Sequence, residues 1–491
     1  MKDLLIILAL IGTTTSMLYA QEIQKYSVQE IKSDFQYLYK TLEKANYNLY
    51  AYTEKDKMDS VYKEIEDSIT DSLTSLEVFR LFQPFVASVK MSHCFLLYPS
   101  KEYFGSYLEQ GGTVFPLNLH FSQGKVFVKN NFSENNLISI NDEILALNNQ
   151  PINEFMADLY SNISGPSNYF KASHIEQRLF ARIYWYFYGE CKAFKLQIKK
   201  KNGEEFELVL NAIPGKEFEE KNGQQKSNMR HYREFHIYDD NTAYLRPGGF
   251  ININVPFDPE DPATFDNTEF SQFIDSAFVE FAKKESKNLI LDLRYNMGGD
   301  NSFSDYLIAY FADKPFSISS KFSMKTSQMT KDFWKEINIP EHQAVKEQIM
   351  SHENGTYFDV FIPKTTPHKE SKRFNGGVFA LINRYSYSNT SSVAAIIQDY
   401  DFGIIIGEET AEEQSSYAAF HFFNLPKTQW PVAYPKAYFI RPNGDSAPRG
   451  VVPDYVVHED IFTDKDEVLE YALKIIADKE KTSNGGHTQG H

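Results

Sequence analysis

Two runs of unbroken apolar sequence limit the fold more than any other feature of this chain. NLILDLRYN and GGVFALINR each read as a strand too continuously apolar to have a wet face, and each runs straight into a turn. Around them, FSQFIDSAFVEFAKKESK, NSFSDYLIAYFAD and VAAIIQDY read as helices and GIIIGEET as a further strand. The alternation holds from about Glu234 to Ile476 and predicts a layered domain in which helices cover a sheet. A chain of 491 residues has room for about two to four domains, so other units should precede it.

Those units differ in pattern. IKSDFQYLYKTLEKAN places Ile31, Phe35, Leu38 and Leu42 on one helical face. SLEVFRLFQPFVASVK repeats the style, with Pro84 as a break or kink. A helical unit over 21–110 is expected, closing near MSHCFLLYP. From 111 to 214 strands dominate. GKVFVKN alternates, ISINDEILALNNQPINEF reads strand, turn, strand and helix start, and AFKLQIKKKNGEEFELVLNAI reads as a hairpin turning at KNGE. The aromatic HIEQRLFARIYWYFYGE between them reads as a helix or a strand extension. Residues 215–233 are polar and read as a linker, 234–476 as the layered domain, and 477–491 as a disordered tail.

The first 20 residues, one lysine and then an apolar run from Leu4 to Ile11, read as a signal peptide cut before Gln21. The chain is therefore expected to be exported, to a periplasm or the extracellular space. No other segment nears the roughly 20 apolar residues of a membrane span, so none is expected after cleavage. A formal net charge of −16 argues against a nucleic-acid partner. Two cysteines, Cys94 and Cys191, are too few for a disulfide framework or a cysteine-ligated metal site, and leave one disulfide open. No metal or organic cofactor is expected, and nothing in the sequence sets the oligomeric state.

Chemistry concentrates in three places. In RYSYSNTSSVAAII, residues 384–397, serines crowd the start of a helix that follows a buried strand. Capping explains one such hydroxyl, because a serine oxygen accepts a free N–H of the first turn. A nucleophile beside backbone N–H groups is the alternative, and from this stretch alone capping is the commoner explanation. In NLILDLRYNMGGD, residues 288–300, Gly298 and Gly299 permit close backbone approach. An amide there could face an oxyanion. MSHC brings His93, and a lone histidine in such surroundings is more often a packed or surface residue than a base.

Together, residues 288–300, 376–410 and 450–454 (GVVPD) resemble the C-terminal processing, or tail-specific, serine peptidase family. The resemblance implies a multidomain α+β and α/β architecture: the helical unit, a PDZ-like β domain carrying INDEILALNNQPI, and a ClpP/crotonase-like catalytic domain. It implies Ser388 as nucleophile and the backbone of Gly299 and Asn389, with Gly298, as the oxyanion hole. One branch of the family uses a lysine near Glu412 and Glu413, but no lysine lies from Arg373 to Pro426. The other branch resembles the tricorn core and uses a histidine preceded by a serine. That matches His93 and Ser92, with Asp445, the carboxylate just before GVVPD, as the residue that orients the ring. Two departures stand out, AEEQSSYAAF where glycines are usual and Cys94 after the histidine. The implied partner is a peptide or protein substrate, C-terminal segments among the candidates, received by strand addition to the PDZ-like domain. Two other readings remain: a non-catalytic peptide-binding relative, and a hydrolase for a non-peptide acyl substrate.

Overall fold

The computed structural model describes residues 24–224, 232–238, 241–255, 261–336 and 343–485. The expected signal peptide, most of the second half of the expected linker and the last tail residues lie outside them.

In the N-terminal unit, α1 (Val28–Ala45) starts at a Ser27–Glu30 capping box and buries Ile31, Phe35, Leu38 and Leu42 on one face. Helices α2 (Lys55–Ser68) and α3 (Ser75–Ala87) pack beside it. Phe35 stacks on Phe82 of α3 with ring centroids 4.7 Å apart. Pro84 lies inside α3 without ending it. The chain then leaves as the short strand β1 (Phe95–Leu96).

The PDZ-like domain contains β2 (Leu117–Ser122), β3 (Lys125–Asn131), β4 (Glu143–Leu147), β5 (Ala193–Lys199) and β6 (Glu205–Asn211). They form an antiparallel sheet in the order β6–β5–β4–β3–β2, which leaves β2 on an edge. Helices α4 (Ile152–Ser161), α5 (Asn168–Arg178) and α6 (Phe180–Tyr188) join β4 to β5, so the ambiguous aromatic segment is helical. Residues Gly215–Gly223, expected as linker, form helix α7. Phe218 explains the difference: this one aromatic is fully buried and meets Phe132 at 5.4 Å, which docks an otherwise polar helix.

The C-terminal domain is built on β7 (Glu234–Ile237), β8 (Thr242–Arg246), β9 (Asn288–Asp292), β12 (Gly377–Ile382), β13 (Ile404–Gly407) and β16 (Tyr455–Val456), paired in that order. All neighbours are parallel except β7 and β8. Leu289 and Leu291 of β9 pack with Phe270, Leu307 and Val393 of helices α8 (Thr268–Lys283), α9 (Asn301–Ile308) and α10 (Asn389–Asp399). Ile290 packs with Val468 and Ile476 of α11 (Glu467–Gly485) on the other face. Helices on both faces are why these strands read as unbroken apolar runs. Helix α11 also runs on beyond residue 477, where a disordered tail was expected.

A second sheet orders as β11 (Tyr357–Asp359), β10 (Lys321–Lys325), β15 (Pro431–Ile440) and β14 (Ser416–Asn424). Strand β1 joins it through Leu96↔Val432 and Phe95↔Ala433. This pairing ties the end of the helical unit to the C-terminal half of the chain.

Candidate active site

Strands β9 and β12 are parallel neighbours with Asp292 opposite Leu381, so the turns that follow them lie side by side. The contact is close. A Cβ on Gly298 (φ +83°) would stand 2.6 Å from the Tyr387 carbonyl oxygen and 2.7 Å from the Asn389 nitrogen. Only glycine allows this approach. Ser386 Oγ donates to the Leu293 carbonyl at 3.0 Å, and the Tyr387 N–H donates to the Asn296 carbonyl at 3.0 Å. Held on both sides, Ser388 takes φ +55°, ψ −128° immediately before α10 begins. A non-glycine residue in that region stores about 1–3 kcal/mol of strain. Ser391 Oγ donates to the Ser388 carbonyl at 2.8 Å. The Gly298 amide is committed to Asn296 Oδ1 at 2.9 Å, whereas those of Gly299 and Asn389 make no hydrogen bond among the described residues.

His93 reaches this turn because β1 is anchored on β15. Its buried ring lies between Tyr387 (centroids 5.7 Å) and Phe420 (5.4 Å). Ser92 Oγ is 3.1 Å from His93 Nδ1 and donates to Glu412 Oε1 at 3.0 Å. Glu412 Oε1 is itself 3.4 Å from Nδ1. The other oxygen, Oε2, accepts the Ser388 N–H at 2.6 Å. One carboxyl group thus joins the histidine to the strained serine turn. Burial pushes His93 down to about 4, against a hydrogen bond to the Tyr417 backbone. Burial raises Glu412 to about 7, against the hydrogen bonds from Ser388 and Ser92. Both shifts favour the uncharged forms, as desolvation does. No hydrogen bond joins Ser388 Oγ to His93 among the described residues.

Ser388, His93, Ser92, Gly298, Gly299 and Asn389 therefore share one neighbourhood, and Asp445 does not join it by any hydrogen bond or ion pair to His93. Asp445 is exposed; its amide donates to Asn443 Oδ1 at 2.8 Å and its carboxylate accepts from the Ala447 amide at 2.9 Å, a turn-forming use of the side chain. The carboxyl beside the ring is Glu412, which sequence reasoning used only to mark where a lysine was missing. The available signal was its position, a few residues past the strand next to the nucleophile strand. Both thiols, Cys94 and Cys191, are free.

Residues 261–457 match the family described as Peptidase family S41, and residues 112–221 match a PDZ domain. Residues 261–457 are a peptidase family S41 domain. The chain is a serine-type peptidase with a PDZ domain, and its substrate is a peptide or protein. Its fold is similar to that of mature CPAF, with a TM-score of 0.60 at 14% identity over 87% of this chain and 92% of that one. A second CPAF structure, complexed with lactacystin, gives 0.61 at 14% identity over 87% and 94%. A putative peptidase from Parabacteroides merdae ATCC 43184 gives 0.46 at 16% identity over 92% and 96%. Ser388, Glu412 and the glycine turn fall inside the S41 match, while His93 comes from outside both matched stretches.

The PDZ domain also touches the S41 site. Helix α5 lies along the Ser388 turn: Phe170 meets Tyr387 at 5.8 Å, and Gln177 Nε2 donates to the Tyr385 carbonyl at 3.2 Å. Glu176 Oε1 accepts from Arg384 Nη2 at 2.7 Å and from the Phe121 amide at 2.5 Å, and Tyr385 Oη donates to Oε2. Arg384 Nη1 donates to the Phe121 carbonyl at 2.8 Å. Burial alone would raise the Glu176 carboxyl, but the Arg384 guanidinium and His120 outweigh it and hold the group down at about 2.

Proposed function

We propose that this S41 peptidase is an exported endopeptidase that cleaves with Ser388 as nucleophile and His93 as general base. The observation that carries the reading is the Glu412 carboxyl, bonded to the Ser388 amide through one oxygen and set against Ser92 and His93 by the other. Ser92 Oγ donates to Glu412, so the hydrogen shared between Ser92 and His93 belongs to Nδ1. Nε2 is then the nitrogen that takes the serine proton, and the Tyr417 backbone, whose hydrogen bond favours the charged ring, supports the imidazolium once it forms. A serine hydroxyl becomes nucleophilic when such a base takes its proton as it attacks the peptide carbonyl. The imidazolium that forms returns the proton to the leaving amine, and Glu412 faces the charge on the ring meanwhile. The unused amides of Gly299 and Asn389 are the donors for the carbonyl oxygen as it gains charge. The gap between Ser388 Oγ and His93 in the resting protein closes when substrate fills the site, a tightening common to such hydrogen bonds. Glu412 takes the orienting role that the family resemblance gave to Asp445.

The test is a digest of a diverse peptide mixture read by mass spectrometry, wild type beside Ser388→Ala and His93→Ala, with lactacystin as an added probe of the site. Cuts that vanish in both variants support the reading. A protein that binds the peptides without cutting them is the non-catalytic relative instead. Ser388-dependent turnover of esters alone points to a non-peptide acyl substrate.

A further inference from the structure

Two sheet edges approach the nucleophile turn, and they are not equivalent. On β2 the outward N–H and C=O of Phe121 are both taken, by Glu176 and Arg384. A peptide added there would have to displace a buried ion pair. On β14 the outer edge is unpaired. Its direction follows from β15: the carbonyls of Pro431 and Pro435 accept from the Leu97 and Tyr47 amides, so these residues face away from β14. Their ladder partners, Asn424 and Phe420, must then turn their own backbone groups outward, as does Phe422 between them. None of these three has a backbone hydrogen bond beyond its own ladder among the described residues.

The same stretch carries a half-buried aromatic floor. Phe420 and Phe422 are 5.5 Å apart, and Phe95 of β1 lies 6.2 Å from the first and 6.4 Å from the second. Phe420 is also the ring stacked on His93, so floor and edge begin at the catalytic base.

We propose that the scissile segment docks in extended form as an added strand on the outer edge of β14, laying alternate apolar side chains on Phe95, Phe420 and Phe422. This rests on the peptidase reading of Ser388 for its purpose, though not for its test. The preferred substrate is an unfolded segment with apolar residues at every second position. Backbone pairing supplies affinity and the aromatic floor supplies selectivity, the usual division in strand addition.

The experiment measures binding of a fluorescein-labelled peptide alternating phenylalanine and threonine to the full chain carrying Ser388→Ala, by fluorescence anisotropy. The peptide is N-methylated at one position at a time. Binding should weaken about tenfold at every second residue and little at those between, as expected when a single hydrogen bond is lost. Phe422→Pro removes one outward N–H at an edge position that tolerates proline, and it should weaken the unmethylated peptide by a similar factor. A flat methylation scan, or an alternation that Phe422→Pro leaves at full affinity, overturns the proposal. Cleavage by the wild-type protein is read separately. Alternation without any cut would sink the peptidase reading and still support the docking edge.

Discussion

Glu176 and Glu412 make an instructive pair. Both carboxyls are buried, both accept a backbone amide, and both lie within 3.4 Å of a histidine nitrogen. Yet Glu176 is held down at about 2 while Glu412 is raised to about 7. The difference is the cationic company: Arg384 stands 2.7 Å from Glu176, with His120 and Lys129 adding to its pull, and no arginine or lysine faces Glu412 among the described residues. A buried carboxyl with a guanidinium is a fixed ion pair, suited to clamping the PDZ domain onto the nucleophile turn. One without a cation is left close to neutrality, where it can answer a charge that forms on its neighbour during catalysis.

The largest effect that would break this comparison is on turnover. Glu412→Gln should lower kcat by about 10³–10⁴, the cost seen when the group behind a catalytic histidine loses its charge, with KM for a peptide little changed. Steady-state kinetics check it. If Glu412→Gln turns over normally, the carboxyl is only a structural acceptor for the Ser388 amide, and the contrast with Glu176 has no catalytic meaning.

Glu176→Ala tests the other half. Removing it leaves Arg384 buried without its counter-ion, which costs about 3–5 kcal/mol, and denaturant unfolding should show it. The pH dependence carries the sign. Glu176 has a folded value of about 2, below an ordinary carboxyl, so its contribution is present above about pH 4.5 and fades as pH falls toward 2. Glu412 runs the other way: its folded value is raised, so its contribution is complete below about pH 4.5 and is lost as pH rises through 7. Glu412→Gln should therefore be relatively more stable than wild type at pH 8 than at pH 5, whereas the cost of Glu176→Ala should be nearly the same at both and shrink only as pH falls below about 4.5.

A smaller effect sharpens the same point in activity. With His93 at about 4, the ring proposed as base is already neutral throughout the range from pH 5 to 8. Glu412, at about 7, is the group that changes charge there. kcat/KM on an uncharged peptide should fall about tenfold per pH unit below 7, and the limb should disappear in Glu412→Gln. A limb that persists in that variant would assign the titration to another group.

These two carboxyls also show how much could be read beforehand. The meeting of the serine-rich turn with the Gly298–Gly299 turn was legible because each follows an apolar strand and neighbouring parallel strands deliver their turns to one place; the choice of Ser388 among its neighbouring serines came from the family resemblance. Ile31, Phe35, Leu38 and Leu42, four of the buried positions of α1, were legible from spacing alone. Glu412 was not, because its role depends on what surrounds it in space; in sequence it is one of four acids in GEETAEEQ. Asp445 drew attention through its distance from GVVPD, but its NGD setting is that of a turn, and the fold uses it as one. The Glu176–Arg384 clamp spans 208 residues and two domains, a separation that no local pattern records. Helix α7 was hidden for a simpler reason, since its polar composition outvoted the single phenylalanine that docks it.

The last prediction concerns the turn that both carboxyls hold. Ser388 sits at φ +55°, a region natural for glycine and strained for any residue with a Cβ. Ser388→Gly and Ser388→Ala both lose the hydroxyl, so both should be inactive, but only glycine relieves the backbone. Glycine gains flexibility in the unfolded chain, which subtracts from the relief, and the variant should still be more stable than Ser388→Ala by about 1 kcal/mol. Paired thermal melts of the two variants read this difference with the chemistry removed. Equal stabilities would mean that the turn is relaxed as built. The bond from the Ser388 amide to Glu412 would then be orienting the carboxyl toward His93, and no longer holding the nucleophile in place.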